Sequence, residues 1–298
     1  ILLCLSIIFI FLIYPLGTSY NLNVYYCLSL IITYIVLNLF LFTSYSIWLD
    51  IVSPVFSSSV TIVLVVAVSL LVEKGKRSLV EETFSRYVSP QVYNKLISEY
   101  KSVDLTAYRQ RITVLFSDIR GFTPFAEDLT PEEVSRYLNE YFTEMVDIIL
   151  KHDGTIDKFM GDAIMAFFGA PVYSKDHAFQ GVKAAIEMME MLDTLNEKWS
   201  RQGRRMINIG IGLNTGSALI GNFGSPRLMD YTVIGDTVNL ASRLESLNKE
   251  ENTNILISAF TYQEVKEMVK VRIIGPKRVK GKSESVIVYE VLSLNDGQ

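Results

Sequence analysis

The sequence predicts an α+β fold, a mixed sheet with helices on its faces, preceded by three membrane-spanning helices. After residue 106, strand-like and helix-like segments alternate, and closely spaced strand pairs typical of hairpins occur as well. That mixture is typical of α+β proteins. Two short runs each place an aspartate at a turn beside an apolar, strand-like segment. The first 72 residues, by contrast, carry one charged side chain, Asp50.

The N-terminal 72 residues contain three apolar stretches, at residues 1–16, 24–45 and 55–72. A bilayer core requires roughly 20 apolar residues per helix, and the second and third stretches are about that long. A signal peptide is the alternative for the first stretch, but no basic segment or cleavage site is visible. Because the chain starts inside that stretch without a methionine, we expect an upstream extracytoplasmic sensor domain.

The basic cluster at residues 73–77 flanks the third apolar stretch. The positive-inside rule places this end in the cytoplasm. We therefore expect a multi-pass protein of the inner or plasma membrane, with the part that follows in the cytoplasm.

Residues 73–106 are predicted to form a helical linker that transmits a signal. Phe84, Val88, Val92 and Leu96 recur every four residues, which gives a helical apolar stripe interrupted at a proline. The alternatives are a spacer helix that packs on its own domain and a paired helix that couples membrane to catalytic domain.

The composition after residue 72 excludes several classes of function. It holds 28 basic and 31 acidic residues, a net charge of −3, which argues against nonspecific nucleic-acid binding. Cys4 and Cys27 both lie in apolar stretches and build no disulfide framework. With His152 and His177 as the only histidines, a zinc site is not expected.

The segment 107–298 is predicted to form one domain, and its clearest element is a helix at residues 131–152. Thr130 supplies the N-cap, Pro131 occupies the first helical position, and Glu133 supplies the acid of a capping box. Apolar runs and turn residues predict the other elements. Strands are expected at residues 111–117, 155–160, 163–168, 206–214, 218–222, 231–234, 254–257, 271–279 and 285–291, and helices at 176–199, 236–247 and 260–269.

Two aspartates are the candidate metal ligands. Asp118 follows an apolar strand-like run, and Asp162 lies in the tight turn between two predicted strands. A lone aspartate after a strand is more often a turn or cap residue. Two carboxylates delivered by neighbouring strands, however, are what a hard, oxygen-seeking dication such as Mg²⁺ or Mn²⁺ needs.

The turn after Asp118 is a candidate phosphate-binding segment. Gly121 lets backbone N–H groups approach phosphate oxygens, and Phe122 and Thr123 continue the turn towards a helix. We therefore expect Gly121, Phe122 and Thr123 to contribute to substrate binding.

Further polar residues extend the candidate site. Lys158 lies four residues before Asp162, where the alternative is a solvated strand lysine. Asn239 and Arg243 are spaced to share one face of the predicted helix. Arg243 could neutralise a charged phosphorane, and Asn239 could orient a ribose. The alternative is a capping asparagine and a surface arginine.

A basic run near the C-terminus contains Lys277, Arg278, Lys280 and Lys282. Such runs are usually solvated faces. This one could also grip the β and γ phosphates of a nucleoside triphosphate.

Taken together, these residues resemble the catalytic domain of the class III nucleotidyl cyclases, a ferredoxin-like, palm-type α+β fold. The resemblance covers roughly residues 107–293 and rests on three motifs. They are Phe116-Ser-Asp-Ile-Arg-Gly-Phe-Thr123, Asp157-Lys-Phe-Met-Gly-Asp-Ala163 and Thr232-Val-Ile-Gly-Asp-Thr-Val-Asn-Leu-Ala-Ser-Arg243. The N-terminal stretches resemble, more weakly, the closing spans of receptors with a CHASE-type sensor.

The resemblance implies a role for each candidate residue. The metal ligands are Asp118 and Asp162, with the carbonyl of Ile119 as an extra ligand. Lys158 and Thr232 occupy the two base-selecting positions, and Asn239 and Arg243 the transition-state positions. The lysine that holds the terminal phosphates is Lys280, although Lys282 is close enough to leave the choice open.

Thr232 departs from the commonest adenylyl cyclase pattern, in which an aspartate partners the lysine that reads adenine. This chain is similar to the subgroup in which threonine has that role. Lys158 would donate to adenine N1, and the Thr232 hydroxyl would accept from the exocyclic amine. Guanine presents a donor and an oxygen at these positions, so ATP is expected over GTP.

The resemblance implies conversion of ATP to 3′,5′-cyclic AMP and pyrophosphate with two Mg²⁺ or Mn²⁺ ions. It also implies a head-to-tail homodimer, because the metal aspartates and the Asn/Arg pair that serve one ATP come from different protomers. The alternatives are a guanylyl cyclase and a catalytically silent, nucleotide-binding relay domain. A diguanylate cyclase is disfavoured because its Gly-Gly-Asp/Glu-Glu-Phe signature is missing.

Overall fold

The computed structural model describes residues 20–47, 50, 107–225, 228–277 and 285–295, with single positions between residues 52 and 67. The chain divides into two compact units, Ile1–Tyr87 and Val88–Gln298. The predicted linker at residues 73–106 lies outside the described residues, and so do Arg278, Lys280 and Lys282.

The N-terminal unit contains helix α1, Tyr20–Tyr45, which covers the second predicted span. Its apolar side chains are exposed at successive positions, among them Ile32, Val36, Leu39 and Phe40. Among the described positions, no helix has both the length and the apolar character that a bilayer crossing requires. The first predicted span and most of the third lie outside the described residues. Three membrane spans therefore stay a prediction from the sequence.

The C-terminal unit alternates strands and helices. In chain order they are β1 (Tyr108–Ile119), α2 (Phe122–Glu127), α3 (Pro131–Lys151), β2 (Gly154–Met160), β3 (Ala163–Phe168), α4 (His177–Arg201), β4 (Ile209–Ser225), β5 (Leu228–Ile234), α5 (Asp236–Glu251), β6 (Ile255–Ser258), α6 (Ala259–Val265), β7 (Val269–Lys277) and β8 (Val286–Leu294).

The described strands of this unit form one mixed sheet in the order β2-β3-β1-β4-β6-β8-β7, with β5 paired to β4 outside that path. Strands β4 and β6 run parallel. The hairpin pairs, such as β2 with β3 and β7 with β8, are antiparallel. The predicted mixed sheet is therefore confirmed.

Both faces of the sheet are covered. Successive residues of β1 point to opposite faces, and they belong to two different clusters of buried residues. Leu115 and Ile119 belong to the core that contains residues of α3 and α4. Ile112, Val114 and Phe116 pack in a second cluster with residues of β5 and α5. The prediction of helices on the faces of a mixed sheet is confirmed.

Helix α3 begins where the sequence predicts. The side chain of Thr130 accepts from the backbone N–H of Glu133 at 3.3 Å, and Glu133 Oε2 accepts from the backbone N–H of Thr130 at 2.8 Å. This reciprocal capping box satisfies N–H groups that the first helical turn leaves without partners.

The sequence predicts two strands at residues 206–214 and 218–222, with a break at Thr215-Gly216 between them, and this break is wrong because β4 is continuous. Both residues stay in the ladder with β1, where Thr215 pairs with Thr113 and Gly216 with Ile112. A Cβ on Gly216 would lie 2.6 Å from Oγ1 of Thr237, at the start of α5. The glycine therefore permits a close approach of helix to strand and does not mark a turn.

Candidate active site

Asp118 and Asp162 meet at the ends of two adjacent strands. In the antiparallel ladder of β1 and β3, Ser117 lies opposite Ile164, which brings the end of β1 to the turn before β3. The two carboxyl groups are neighbours, close enough for Asp118 to affect the ionisation of Asp162. Burial raises the pKa of Asp162 to about 6, and the neighbouring carboxyl of Asp118 adds to the effect.

The local backbone holds this pair in place. Gly161 adopts φ 69°, a left-handed conformation that permits the tight turn before Asp162. The backbone N–H of Ile119 donates to Oδ1 of Asp118 at 3.0 Å. The side chain of Ile119 is buried, so this residue offers only its backbone to the site.

The donor set at this turn fits a hard dication. Two neighbouring carboxylates repel each other, and a shared proton or a bound cation relieves that repulsion. Within the described residues, no three His, Cys, Asp or Glu side chains form a metal-binding cluster. A cation here would therefore depend on the two aspartates, on a backbone oxygen such as that of Ile119, and on oxygens of substrate or water.

The candidate phosphate-binding turn follows directly. Gly121 adopts φ 65° and ψ 32° at the start of α2. The ring of Phe122 packs against Phe125 with ring centroids 6.1 Å apart, while Thr123 is exposed. The turn is thus anchored by an aromatic contact on one side and open to solvent on the other.

Lys158 and Thr232 come together through Asp157, which the sequence analysis missed. The Thr232 hydroxyl donates to Oδ2 of Asp157 at 2.5 Å. Nζ of Lys158 lies 3.3 Å from Oδ1 of the same carboxylate. The Asp157 side chain is 1% exposed, and this burial raises its pKa. Its position next to Lys158 was the signal that could have found it.

Asn239 and Arg243 lie on α5, where Asn239 is exposed and Arg243 is half-buried. In the described part of the chain, neither side chain forms a hydrogen bond or an ion pair. Neither is therefore joined to Asp118 or Asp162 within one described protomer.

Glu245 is a second residue that the sequence analysis missed. Its carboxylate lies over Gly210 of β4, because a Cβ on that glycine would be 3.0 Å from Oε1 of Glu245. Gly210 pairs with Asp118 of β1, so Glu245 lies near the aspartate site. Burial, followed by the charge of Asp118, raises the pKa of Glu245 to about 7. Its place two residues after Arg243 was the available signal.

Of the basic run near the C-terminus, the structure describes Lys277. This residue forms an ion pair with Glu251 at the end of α5, with Nζ 2.5 Å from Oε1. The predicted contribution of Lys280 to phosphate binding lies outside the described residues.

The sheet presents two carboxylates at neighbouring strand ends beside a glycine turn, and it carries a lysine–threonine pair on β2 and β5. Carboxylates that can bind a dication and a glycine turn that can bind phosphate are typical of domains that act on nucleoside triphosphates. The chain belongs to the adenylate and guanylate cyclase catalytic domain family, which matches residues 106–292.

Individual relatives fall within the same family. Adenylate cyclase 1 of Rhizobium meliloti is 37% identical over 212 residues, which cover 71% of this chain and 32% of that protein. The chain therefore spans about a third of the length of this relative.

Two solved structures are similar to the C-terminal unit. The adenylyl cyclase CyaB from P. aeruginosa has 42% identity and a TM-score of 0.61, with 65% of this chain and 100% of that chain covered. The guanylyl cyclase Cya2 has 39% identity and a TM-score of 0.59, with 64% and 96% covered.

Proposed function

We propose that this chain is an adenylyl cyclase, in which the ribose 3′-hydroxyl of ATP attacks the α-phosphorus to give 3′,5′-cyclic AMP and pyrophosphate. The observation that carries the proposal is the meeting of the Asp118 and Asp162 carboxyl groups at adjacent strand ends. Membership of the cyclase family and similarity to two proteins named as adenylate or adenylyl cyclases support it.

Asp118, Asp162 and the carbonyl of Ile119 would hold two Mg²⁺ or Mn²⁺ ions. Bound there, such ions would lower the pKa of the attacking hydroxyl and offset the charge of the triphosphate. The chain's own contribution is to fix the two carboxylates beside the turn at Gly121. In that turn, the backbone of Gly121, Phe122 and Thr123 would donate to phosphate oxygens.

Lys158 and Thr232 would read the base. The ammonium group of Lys158 donates to adenine N1, and the Thr232 hydroxyl accepts from the exocyclic amine. Guanine carries N–H at N1 and an oxygen in place of the amine, so it would oppose a donor with a donor and an acceptor with an acceptor. This pairing, which is the threonine-type arrangement, favours ATP over GTP.

Arg243 and Asn239 would stabilise the reacting centre. The planar guanidinium of Arg243 matches phosphate oxygens and would neutralise charge that develops at phosphorus. Asn239 would orient the ribose. Lys280, or Lys282 close to it, would hold the terminal phosphates.

A head-to-tail homodimer would bring these halves together. In the described residues no hydrogen bond or ion pair joins the Asn239 and Arg243 side chains to the aspartate pair, which leaves both side chains available to a second protomer. Each ATP would bind between the aspartates of one protomer and the arginine of the other. Mixing inactive Asp118→Ala protein with inactive Arg243→Ala protein should then restore activity, with a theoretical limit of one intact site per heterodimer. Two folded variants that heterodimerise without activity would contradict the shared site.

The direct test of the function is an assay of the purified protein with Mn²⁺ and either ATP or GTP, with both cyclic products measured. We expect cyclic AMP, a kcat/KM ratio that favours ATP, and no product from Asp118→Asn. A comparable kcat/KM for cyclic GMP would instead support the guanylyl cyclase alternative, which similarity to Cya2 motivates. Nucleotide binding without any product would support the silent relay.

The cellular setting is a separate part of the proposal. Residues 1–72 carry one charged side chain, and successive apolar side chains of α1 are exposed, as expected for a helix covered by lipid or protein. We propose a plasma- or inner-membrane anchor with the C-terminal unit in the cytoplasm. Recovery of the whole chain in the soluble fraction after cell lysis without detergent would contradict the anchor.

A further inference from the structure

Asp157 occupies an irregular position in strand β2. The ladder with β3 pairs Ile156 with Ala166 and Lys158 with Met165, so the register shifts at Asp157. Such a bulge re-aims side chains, and bulges are common beside active sites. Here it allows two consecutive residues, Asp157 and Lys158, to bring their charged groups within 3.3 Å of each other.

Strand β5 brings the partner of Asp157 from a distant part of the sequence. Thr232 pairs with Gly221 of β4, and the ring of the preceding residue, Tyr231, lies 6.4 Å from that of Phe167 on β3. In this position the Thr232 hydroxyl donates to Oδ2 of the Asp157 carboxylate.

The Asp157 carboxylate is almost fully enclosed. Its side chain is 1% exposed, and Oδ1 is a buried atom without a hydrogen bond of good geometry, with Nζ of Lys158 as its nearby cation. A buried, incompletely paired carboxylate is costly to the fold. Its position between the two residues proposed to read the base suggests a function that offsets this cost.

The carboxylate fixes the direction of the Thr232 hydroxyl. A free threonine hydroxyl can either donate or accept, so by itself it would serve the amine of adenine and the carbonyl of guanine equally well. An ionised carboxylate only accepts, so the hydroxyl proton is committed to Asp157. The remaining lone pairs of the hydroxyl can then only accept.

We propose that Asp157 is a specificity-determining positioning residue that converts Thr232 into an obligate acceptor and so makes the site select adenine. The inference rests on the proposed cyclase function and adds a third residue to the base-reading pair. Lys158 is a donor whatever its partner. Its character as a donor therefore does not depend on Asp157, although its ammonium group lies 3.3 Å from Oδ1 of that residue.

A double-mutant cycle tests the inference. The protein would carry Asp157→Ala, Thr232→Val or both, and kcat/KM would be measured for ATP and for GTP. We expect Asp157→Ala to lower the ATP/GTP ratio of kcat/KM by about tenfold with Thr232 in place. In the Thr232→Val background, the same substitution should change that ratio by less than about twofold, because no hydroxyl is left to orient.

Two further variants keep the test decisive. Asp157→Asn preserves the size of the side chain, and its amide can either donate to the Thr232 hydroxyl or accept from it. This variant should therefore also lower the ATP/GTP ratio, and it replaces Asp157→Ala in the test if that protein does not fold. Thr232→Ser retains a hydroxyl next to Asp157 and should retain most of the preference for ATP. Binding of 3′-deoxy-ATP and 3′-deoxy-GTP, which lack the attacking hydroxyl, should show the same changes in ratio without catalysis.

The outcomes separate the inference from the proposed function. A wild-type protein that makes no cyclic AMP, or prefers GTP, would overturn the function itself. A wild-type protein that prefers ATP, together with folded Asp157 variants that keep the ATP/GTP ratio, would overturn only the role of Asp157. Equal losses for both nucleotides in both threonine backgrounds would show a merely structural role and would overturn it as well.

Discussion

The carboxyl groups of Asp118 and Asp162 are neighbours at the ends of two antiparallel strands of the central sheet, and Asp118 contributes to the raised pKa of Asp162. Their proximity is unfavourable unless a proton or a cation lies between them. A site of this kind is therefore less stable when empty than when filled, and that property can be measured independently of catalysis.

We predict that Asp162→Asn raises the melting temperature of the metal-free protein by a few degrees at pH 8, because it removes the like-charge contact with Asp118. The same variant should lose the increase in melting temperature that MnCl₂ gives to the wild type, and should lose at least about a hundredfold in activity. Thermal denaturation with EDTA or with MnCl₂ provides the measurement.

The control for this prediction is Asp153→Asn, which changes an exposed aspartate at the turn before β2. It should retain the response to MnCl₂. An unchanged response to MnCl₂ in Asp162→Asn would show that the ion is not held by this carboxylate.

A second prediction concerns the packing of α5, which carries Asn239 and Arg243, on β4. A Cβ on Gly212 would lie 2.1 Å from the backbone N of Glu245, so helix and strand must separate in Gly212→Ala. We expect a loss of about 3 kcal/mol in the free energy of unfolding, measured by urea denaturation.

Gly210 provides the matched control, because it lies two residues earlier on the same face of β4. Its Cβ would first meet the end of the Glu245 side chain at 3.0 Å, and that end can move. Gly210→Ala should therefore destabilise the protein less than Gly212→Ala. Equal losses would contradict the explanation by backbone contact.

Local patterning was sufficient to predict several elements and the aspartate turn. The capping box at Thr130 and Glu133 involves neighbours in sequence, so the start of α3 is encoded locally. The turn before Asp162 is likewise marked by Gly161, whose positive φ the tight turn uses. Strand ends that carry these turns could therefore be placed without knowledge of the packing.

Features that depend on distant contacts could not be predicted in the same way. The sequence predicts a break at Gly216. The glycine is instead required by the close approach of Thr237, on a helix that follows later in the chain. The proposed role of Asp157 depends on its hydrogen bond with Thr232, a residue of the distant strand β5. Glu245 was missed because its burial near Asp118 follows from helix–sheet packing, which periodicity does not reveal.

A third prediction concerns the left-handed conformation of Gly121. With φ at 65°, a residue with a Cβ is strained, and Gly121→Ala should cost about 1 kcal/mol of stability. Because this turn is the proposed phosphate-binding segment, the KM for ATP should rise as well. Gly203→Ala is the control, since Gly203 has φ 70° and an equally open environment at the end of α4. It should show the loss of stability without the change in KM.

A fourth prediction concerns Glu140, which links α3 to the end of α4. Its carboxylate accepts from Nε1 of Trp199 at 2.8 Å and from Arg204 at 2.9 Å. Burial would raise the pKa of Glu140, but the hydrogen bonds of Trp199, Arg204 and Lys198 outweigh it and lower that pKa to about 2. Because the folded-state pKa lies below the unfolded one, the resulting stability is fully present above about pH 4.5 and is lost as the pH falls towards 2.

We therefore expect Glu140→Gln to lower the free energy of unfolding by roughly 2 kcal/mol at pH 7, and by clearly less at pH 3, where the wild-type contribution is already reduced. Urea denaturation at the two pH values measures the difference. Glu197→Gln is the control, because Glu197 pairs with Arg201 across one helical turn at 3.2 Å and both side chains are exposed. An exposed pair of this kind contributes little, so Glu197→Gln should change stability by less than about 0.5 kcal/mol at either pH. A pH-independent loss in Glu140→Gln would instead indicate that shape and packing at Trp199, rather than the charge of the carboxylate, hold the two helices together.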